Sequence, residues 1–78
     1  MLRLFAGARE AAGTGRDELP GATVAAVLDA ACARYGSEFG ALLEHCAIWC
    51  SGEPCEPDQR VGDADEVAVL PPVSGGAA

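Results

Sequence analysis

One stretch of the sequence has the clear repeat of an amphipathic helix. Its apolar side chains recur three or four positions apart, at Val24, Val27, Leu28, Ala31 and Tyr35. Thr23 precedes the stretch as a favourable N-cap residue, and Gly36 follows it as a natural C-terminal stop. We therefore predict a helix over Val24–Tyr35. One such helix cannot bury its apolar stripe alone, so the rest of the chain has to supply a layer for it to pack against.

That second layer is predicted to be a β-sheet built from short segments on both sides of the helix. The predicted strands cover residues 1–6, 14–19, 47–50, 55–56 and 66–70, and a short second helix covers residues 39–46. Residues 7–13 are predicted to form a loop with a helical turn. The first and last strands are the most apolar, so we place them in the centre of the sheet. A mixed sheet with one main helix on one face is an α+β fold, and this order of elements predicts the β-grasp architecture of ubiquitin.

The domain organisation follows from the length of 78 residues and from two consecutive prolines. Pro71 and Pro72 end the last strand, so we assign residues 1–72 to the β-grasp domain and residues 73–78 to a flexible C-terminal tail. A domain of this size buries only about 60% of its unfolded surface and leaves little room for a deep active site. We therefore expect a carrier, a binding module or a subunit, and not a free-standing enzyme.

The charge balance excludes some partners and suggests others. The net charge is -7, all five basic residues are arginine, and there is no lysine. An acidic surface repels phosphate backbones, so we expect no nucleic-acid binding. The acidic residues crowd into residues 53–66, which predicts a solvated face or a docking surface for a basic partner. No apolar run approaches the roughly 20 residues of a membrane span, and we expect a soluble, cytoplasmic protein that does not bind membranes.

The predicted domain offers no convincing catalytic or metal site. The four cysteines are Cys32, Cys46, Cys50 and Cys55. Their spacing lacks the paired Cys-x2-Cys motifs that are typical of zinc sites. We interpret them as reduced thiols that pack as small hydrophobic side chains, with Cys50 and Cys55 placed across one hairpin. Metal binding and a redox or sulfur-handling role are the alternatives. His45 is next to Cys46 but on a different side of a helix, so we interpret it as a surface residue.

Two further acidic residues have a structural interpretation. Asp63 and Asp65 lie in the turn before the last strand and are expected to accept hydrogen bonds from backbone amides. We therefore predict no bound metal and no bound cofactor for the domain.

The C-terminal tail contains two consecutive glycines, Gly75 and Gly76. Glycine has no side chain and adopts most backbone conformations, so a Gly-Gly tail can enter a narrow channel in another protein. A carboxylate on Gly76 could then attack the α-phosphorus of ATP, and a sulfur nucleophile could displace AMP to leave a thiocarboxylate. The carrier would supply reach and a reactive end, whereas the partner enzyme would supply the catalytic groups.

The sequence resembles the MoaD/ThiS family of ubiquitin-like sulfur carriers along nearly its full length, and the MoaD branch most of all. The similar pieces are Leu4-Phe5-Ala6 with Arg9-Glu10, Thr23-Val24, Gly52-Glu53-Pro54, Asp65-Glu66-Val67-Ala68, and Pro71-Pro72-Val73-Ser74-Gly75-Gly76. The last piece is the most specific. The resemblance implies a β-grasp fold and a thiocarboxylate on Gly76, with residues Val73 to Gly76 entering the active site of a partner.

The resemblance also implies the partners of such a carrier. They are a MoeB-like adenylyltransferase that uses ATP and a MoaE-like large subunit that accepts the sulfur in molybdopterin biosynthesis. Typical members end at Gly-Gly, whereas this chain continues with Ala77 and Ala78. Some relatives carry a short extension that a JAMM-type metalloprotease removes, and a similar cut between Gly76 and Ala77 is expected here.

Other functions remain open at the level of the sequence. The carrier could donate sulfur to cysteine, a thiosugar or another sulfur-containing natural product. It could act as a ubiquitin-like modifier that attaches Gly76 to lysines of target proteins, or as a plain interaction module.

Overall fold

Short strands and short helices alternate along the chain in the computed structural model, which describes residues 1–62 and 64–71. The elements are β1 (Leu2–Leu4), α1 (Ala6–Ala12), β2 (Arg16–Asp17), α2 (Val24–Tyr35), α3 (Ser37–Leu43), β3 (Ala47–Cys50), β4 (Glu53–Pro54) and β5 (Val67–Leu70). Asp63 and the predicted tail, which includes residues 73–78, lie outside the described residues.

The five strands form one mixed sheet in the order β2-β1-β5-β3-β4. The last strand, β5, runs parallel to β1 and antiparallel to β3, and the two outer pairs are antiparallel. The first and last strands therefore lie inside the sheet, as their apolar sequences predicted. This mixed sheet with its packed helices confirms the predicted α+β, β-grasp fold.

The main helix, α2, has the predicted bounds because its two ends are fixed locally. The Thr23 hydroxyl accepts a hydrogen bond from the backbone N–H of Ala26 at 3.2 Å. Gly36 ends the helix with φ of 100°, which favours glycine, and its N–H donates to the carbonyl of Cys32 at 2.9 Å.

The core lies between one face of the sheet and the three helices. Strand residues from β1, β3 and β5 point to this face, and α2 and α3 cover it. The buried members of the core cluster are Leu2, Leu4, Ala8, Val24, Val27, Ala31, Phe39, Cys50, Val67 and Val69. Phe39 from α3 is the largest of these side chains and is 1% exposed, and its ring packs edge-on against Tyr35 with centroids 5.1 Å apart. The core thus depends on α3 as well as on α2.

Three local predictions were wrong. Residues 7–13, predicted as a loop with a helical turn, belong mostly to the helix α1, which buries Ala8 against the sheet. Strand β4 begins at Glu53, two residues before the predicted strand at 55–56, because the hairpin turn consists of only Ser51 and Gly52, which both have positive φ. Helix α3 covers Ser37–Leu43, earlier than the predicted residues 39–46.

The different burial of two apolar side chains predicts different effects on stability. Phe39 is fully buried, whereas Leu28 is only partly buried against the core. We expect Phe39→Ala to lower the free energy of unfolding by about 3–5 kcal/mol. Leu28→Ala should cost less, because a partly exposed side chain leaves no closed cavity. Urea unfolding of the two variants measures both values, and an equal or larger loss for Leu28→Ala would contradict this packing.

Candidate functional site

The described structure ends where the central strand leads toward the predicted functional tail. Strand β5 ends at Leu70, and Pro71 follows it as the last described residue. The predicted site residues Val73, Ser74, Gly75 and Gly76, and the predicted cut between Gly76 and Ala77, lie outside the described residues. The structure therefore defines the base from which the chain continues toward the tail.

The end of β5 lies between the neighbouring ends of two other strands. Leu70 pairs with Ala47 at the start of β3. On the other side, the backbone N–H of Phe5 donates to the carbonyl of Val69 at 3.3 Å, because β1 and β5 run parallel and end together. Pro71 thus follows directly on a strand in the middle of the sheet, and the end of that strand lies beside Phe5 and Ala47.

The sheet face opposite the core carries apolar side chains that no helix of the described structure covers. Its residues alternate with the core residues along each strand, and the register places Arg3, Ala68, Trp49 and Pro54 in one row across the sheet. Phe5 and Trp49 are each 37% exposed. We call this surface, made of Arg3, Phe5, Trp49, Pro54, Ala68 and Leu70, the open sheet face.

Ala68 lies in the centre of the open sheet face and is only 8% exposed. Its small side chain lies between those of Arg3 and Trp49 on the neighbouring strands. The Arg3 guanidinium lies over the Phe5 ring, 5.4 Å from its centroid, and 3.6 Å from a carboxylate oxygen of Glu66. The open sheet face is therefore apolar on β5, β3 and β4, and it is bordered by two arginines, Arg3 on β1 and its register partner Arg16 on the edge strand β2.

The acidic residues predicted as a solvated face are largely exposed. The exposed members are Glu53, Glu56 and Asp58 in and after the β3–β4 hairpin. Asp65 is half-buried, and its carboxylate accepts a hydrogen bond from the N–H of Gly62 at 2.7 Å, as the turn predicted. Among the described residues, no group of three or more histidine, cysteine or acidic side chains is arranged to hold a metal ion.

The cysteines pack mostly as predicted, and two of them meet. Cys50 is buried and Cys32, Cys46 and Cys55 are half-buried, all as free thiols. Burial raises the pKa of the Cys32, Cys46 and Cys50 thiols, and it raises that of Cys50 to about 12 with the help of its hydrogen bond to Cys55. These three thiols are protonated at neutral pH and are poor nucleophiles. His45 is exposed, as predicted.

One polar cluster ties the edge strand β2 to the end of α2. The Tyr35 hydroxyl donates to a carboxylate oxygen of Asp17 at 2.5 Å, and Arg34 approaches the same oxygen at 3.0 Å. The hydrogen bond from Tyr35 holds the pKa of Asp17 below its usual value, and burial raises the pKa of Tyr35 to about 12. The cluster therefore joins β2 to α2.

One surface cavity lies at the other end of β5 from Pro71. It is lined by Met1, Glu18, Val61 and Val67, among others, with a volume of about 290 Å³. The N-terminal ammonium donates to the Asp65 carbonyl at 2.9 Å beside it.

No helix in the described ranges has the length and apolar character needed to cross a membrane.

Comparison with known proteins identifies the family. Residues 2–76 match the model of the ThiS family. The chain belongs to the ThiS family. A crystal structure of SAMP1 from Haloferax volcanii is similar with a TM-score of 0.75 and 33% identity, over 96% of each chain. A second crystal structure, of H. volcanii small archaeal modifier protein 1, has a TM-score of 0.72 and 29% identity, over 92% of this chain and 94% of the other. No curated protein matched the chain.

The family match confirms the predicted kind of protein, a ubiquitin-like β-grasp carrier or modifier, and its last residue is the second glycine of the Gly-Gly pair. It runs through Gly76 and leaves only Ala77 and Ala78 beyond it. It does not single out the MoaD branch, so the role in molybdopterin biosynthesis stays a prediction.

The open sheet face was missed by sequence reasoning. The available signal was the alternation of Phe5 and Trp49 with the core positions of β1 and β3.

Trp49 is the only tryptophan of the chain, so its fluorescence tests the open sheet face directly. Neutral acrylamide should quench its emission readily, because the ring is 37% exposed. The net charge of -7 should make caesium a better quencher than iodide, relative to free N-acetyltryptophanamide. This difference should vanish near 1 M salt, where the Debye length is about 3 Å. Emission that acrylamide barely quenches would contradict the exposure of this face.

Proposed function

We propose that the protein is a sulfur carrier that works through a thiocarboxylate on Gly76. The observation that carries this proposal is the family match, which runs through the Gly-Gly pair that follows the central strand of the sheet. The chain itself binds no cofactor in this proposal and is a co-substrate of other enzymes. The tail residues Val73 to Gly76 enter the active site of each partner in turn.

The chemistry requires a free carboxylate on Gly76. A partner adenylyltransferase joins this carboxylate to the α-phosphorus of ATP, and pyrophosphate leaves. A sulfur nucleophile then attacks the acyl carbon and AMP leaves, so that one carboxylate oxygen is replaced by sulfur. In a chain that continues to Ala78, the Gly76 carbonyl is part of an amide and has no ionised oxygen. Removal of Ala77 and Ala78 by a JAMM-type metalloprotease supplies the required end.

The position of β5 supports a carrier whose tail reacts in the active site of a partner enzyme. The strand is held on both sides by β1 and β3, so the tail starts from a rigid base. Ala68 and Leu70 of the open sheet face lie on β5, and Leu70 directly precedes Pro71. An enzyme that surrounds the tail therefore lies beside this apolar face. We propose that the MoeB-like adenylyltransferase binds the open sheet face while its active site takes the tail.

Molybdopterin biosynthesis is our first assignment for the destination of the sulfur. The acceptor would be a MoaE-like large subunit, and the support is the Pro71-Pro72-Val73-Ser74-Gly75-Gly76 sequence. The alternative destination is cysteine, a thiosugar or another sulfur-containing natural product.

A role as a ubiquitin-like modifier is the second candidate. It is favoured by the two solved structures, because the name of their protein is small archaeal modifier protein 1. The modifier function predicts an amide between Gly76 and a lysine of another protein. The chain has no lysine of its own, so it cannot form chains through lysine. Mass spectrometry of conjugates from the native cell separates the two functions, since a carrier yields free thiocarboxylate and a modifier yields Gly76–lysine amides.

Removal of the last two residues should activate the protein. A variant that ends at Gly76 should form adenylate and thiocarboxylate with a matched adenylyltransferase, ATP and a sulfur donor, without any protease. The full chain should not, because its carboxylate lies two residues too far, up to about 7 Å of extended chain. Near-attack geometry tolerates errors of only about 1 Å. Intact-mass measurement detects both the cut and the exchange of oxygen for sulfur.

The matched control for this experiment is the truncated variant with Gly76→Ala. It has the correct length but carries a methyl group into a channel shaped for glycine, so it should be activated poorly. Equal rates for the full and truncated chains, with no cleavage visible in the mass spectrum, would remove the maturation step from the proposal.

A charge placed on the open sheet face should weaken activation without unfolding the domain. In the truncated variant, Trp49→Glu should raise the KM of the adenylyltransferase for the carrier by about tenfold or more, because the substitution buries an unpaired charge in the interface. Ala33→Glu is the matched control, because it adds the same charge at an exposed position on α2. Circular dichroism verifies that both variants are folded. An equal effect of the two substitutions would place the docking surface elsewhere.

A further inference from the structure

The β3–β4 hairpin brings two cysteines together in a way that the proposed function does not use. Cys50 is the last residue of β3, and Cys55 follows directly after β4. The turn between the strands is tight, because Ser51 and Gly52 both have positive φ. Past the end of β4, the N–H of Cys55 still donates to the carbonyl of Ile48 at 3.2 Å. The hairpin therefore holds both cysteines in place through its backbone.

The two sulfur atoms lie 2.8 Å apart, and the Cys50 thiol donates to that of Cys55. The Cys55 thiol in turn donates to the Ile48 carbonyl at 3.6 Å. A disulfide bond has a length of about 2.05 Å, so bonding requires the sulfur atoms to approach by less than about 1 Å. The other two thiols have different surroundings, since Cys46 donates to the Leu42 carbonyl and Cys32 lies on α2.

The two thiols also differ in access. Cys50 is 6% exposed and faces the core, whereas Cys55 is half-buried at the edge of the sheet. An external disulfide can therefore reach Cys55 first. Burial and the hydrogen bond to Cys55 raise the pKa of Cys50 to about 12, so the protonated Cys50 does not compete with Cys55 for an external disulfide. Its part in the second step depends on its position beside the Cys55 sulfur. In disulfide exchange, Cys55 would therefore be the entering thiol, which attacks the external disulfide, and Cys50 would be the resolving thiol, which attacks the mixed disulfide.

We propose that Cys50 and Cys55 are a reversible modification site that low-molecular-weight disulfides of the glutathione class oxidise to an intramolecular disulfide. The Cys55 thiolate attacks one sulfur of oxidised glutathione, which forms a mixed disulfide and releases one glutathione thiolate. The Cys50 sulfur then loses its proton and attacks the Cys55 sulfur, and the second glutathione leaves. Two protein thiols are oxidised and one glutathione disulfide is reduced to two thiols, so atoms and electrons balance.

This bond would fix β4 to β3 on the core side of the sheet. Trp49 and Pro54 lie opposite each other in the same two strands and belong to the open sheet face. Oxidation therefore stiffens one side of that face without adding a group to it. The inference depends only on the hairpin, and it stands whether or not the tail carries sulfur.

The test uses the unmodified full chain. It is equilibrated with an excess of oxidised glutathione, unfolded, and alkylated without reduction, and the products are read by intact mass and by fragmentation. We expect two of the four cysteines to escape alkylation, with a loss of the mass of two hydrogen atoms and a bond between Cys50 and Cys55. The oxidised protein should melt about 5–15 °C higher, because a bond that fits the fold restricts the unfolded chain.

Variants assign the roles of the two thiols. A Cys32→Ser, Cys46→Ser double variant should form the same bond at the same rate. Adding Cys50→Ala to it should leave a stable mixed disulfide on Cys55, which identifies Cys55 as the entering thiol. Several results overturn the proposal: four thiols that remain alkylatable at equilibrium, a mixed disulfide that persists on the unmodified chain, a bond that involves Cys32 or Cys46, or an oxidised form that melts at an unchanged or lower temperature.

Discussion

The central interaction of this fold is the pairing of the last strand with the first. Strand β5 lies between β1 and β3, and its Val67 and Val69 side chains are fully buried. The backbone of Met1 also takes part, since its carbonyl accepts a hydrogen bond from the N–H of Val67 at 2.8 Å. The two ends of the described chain thus hold each other. Because these contacts are distant in sequence, the sheet cannot close before nearly the whole domain is available.

The same strand also connects stability with function. Alternate residues of β5 point to opposite faces, so Val67 and Val69 enter the core while Ala68 and Leu70 reach the open sheet face. The carrier has no deep active site among its described residues, and its chemistry is proposed for a tail that enters other proteins. A tail of this kind acts best from a base that does not move, and two neighbouring strands provide that base.

The sequence predicted the elements whose limits are set by nearby residues. Helix α2 and strand β3 have their predicted bounds, and the cap at Thr23 is local. Helix α1 was harder to predict because its alanines and glycine show little pattern, and the burial of Ala8 depends on contacts with the sheet. Alternation along β3 places Trp49 on the face opposite Cys50, but which of the two faces stays exposed depends on where the helices pack. The tail was identified by its motif alone.

The two outer strands determine how the sheet ends. Strands β2 and β4 have only two residues each, and these are Arg16 with Asp17 and Glu53 with Pro54. A strand that ends a sheet leaves unpaired backbone groups that can recruit another chain into an aggregate. Short length, charged side chains and a proline without an N–H all oppose such recruitment. The protein can therefore keep an uncovered apolar sheet face while both margins of its sheet resist uncontrolled polymerisation.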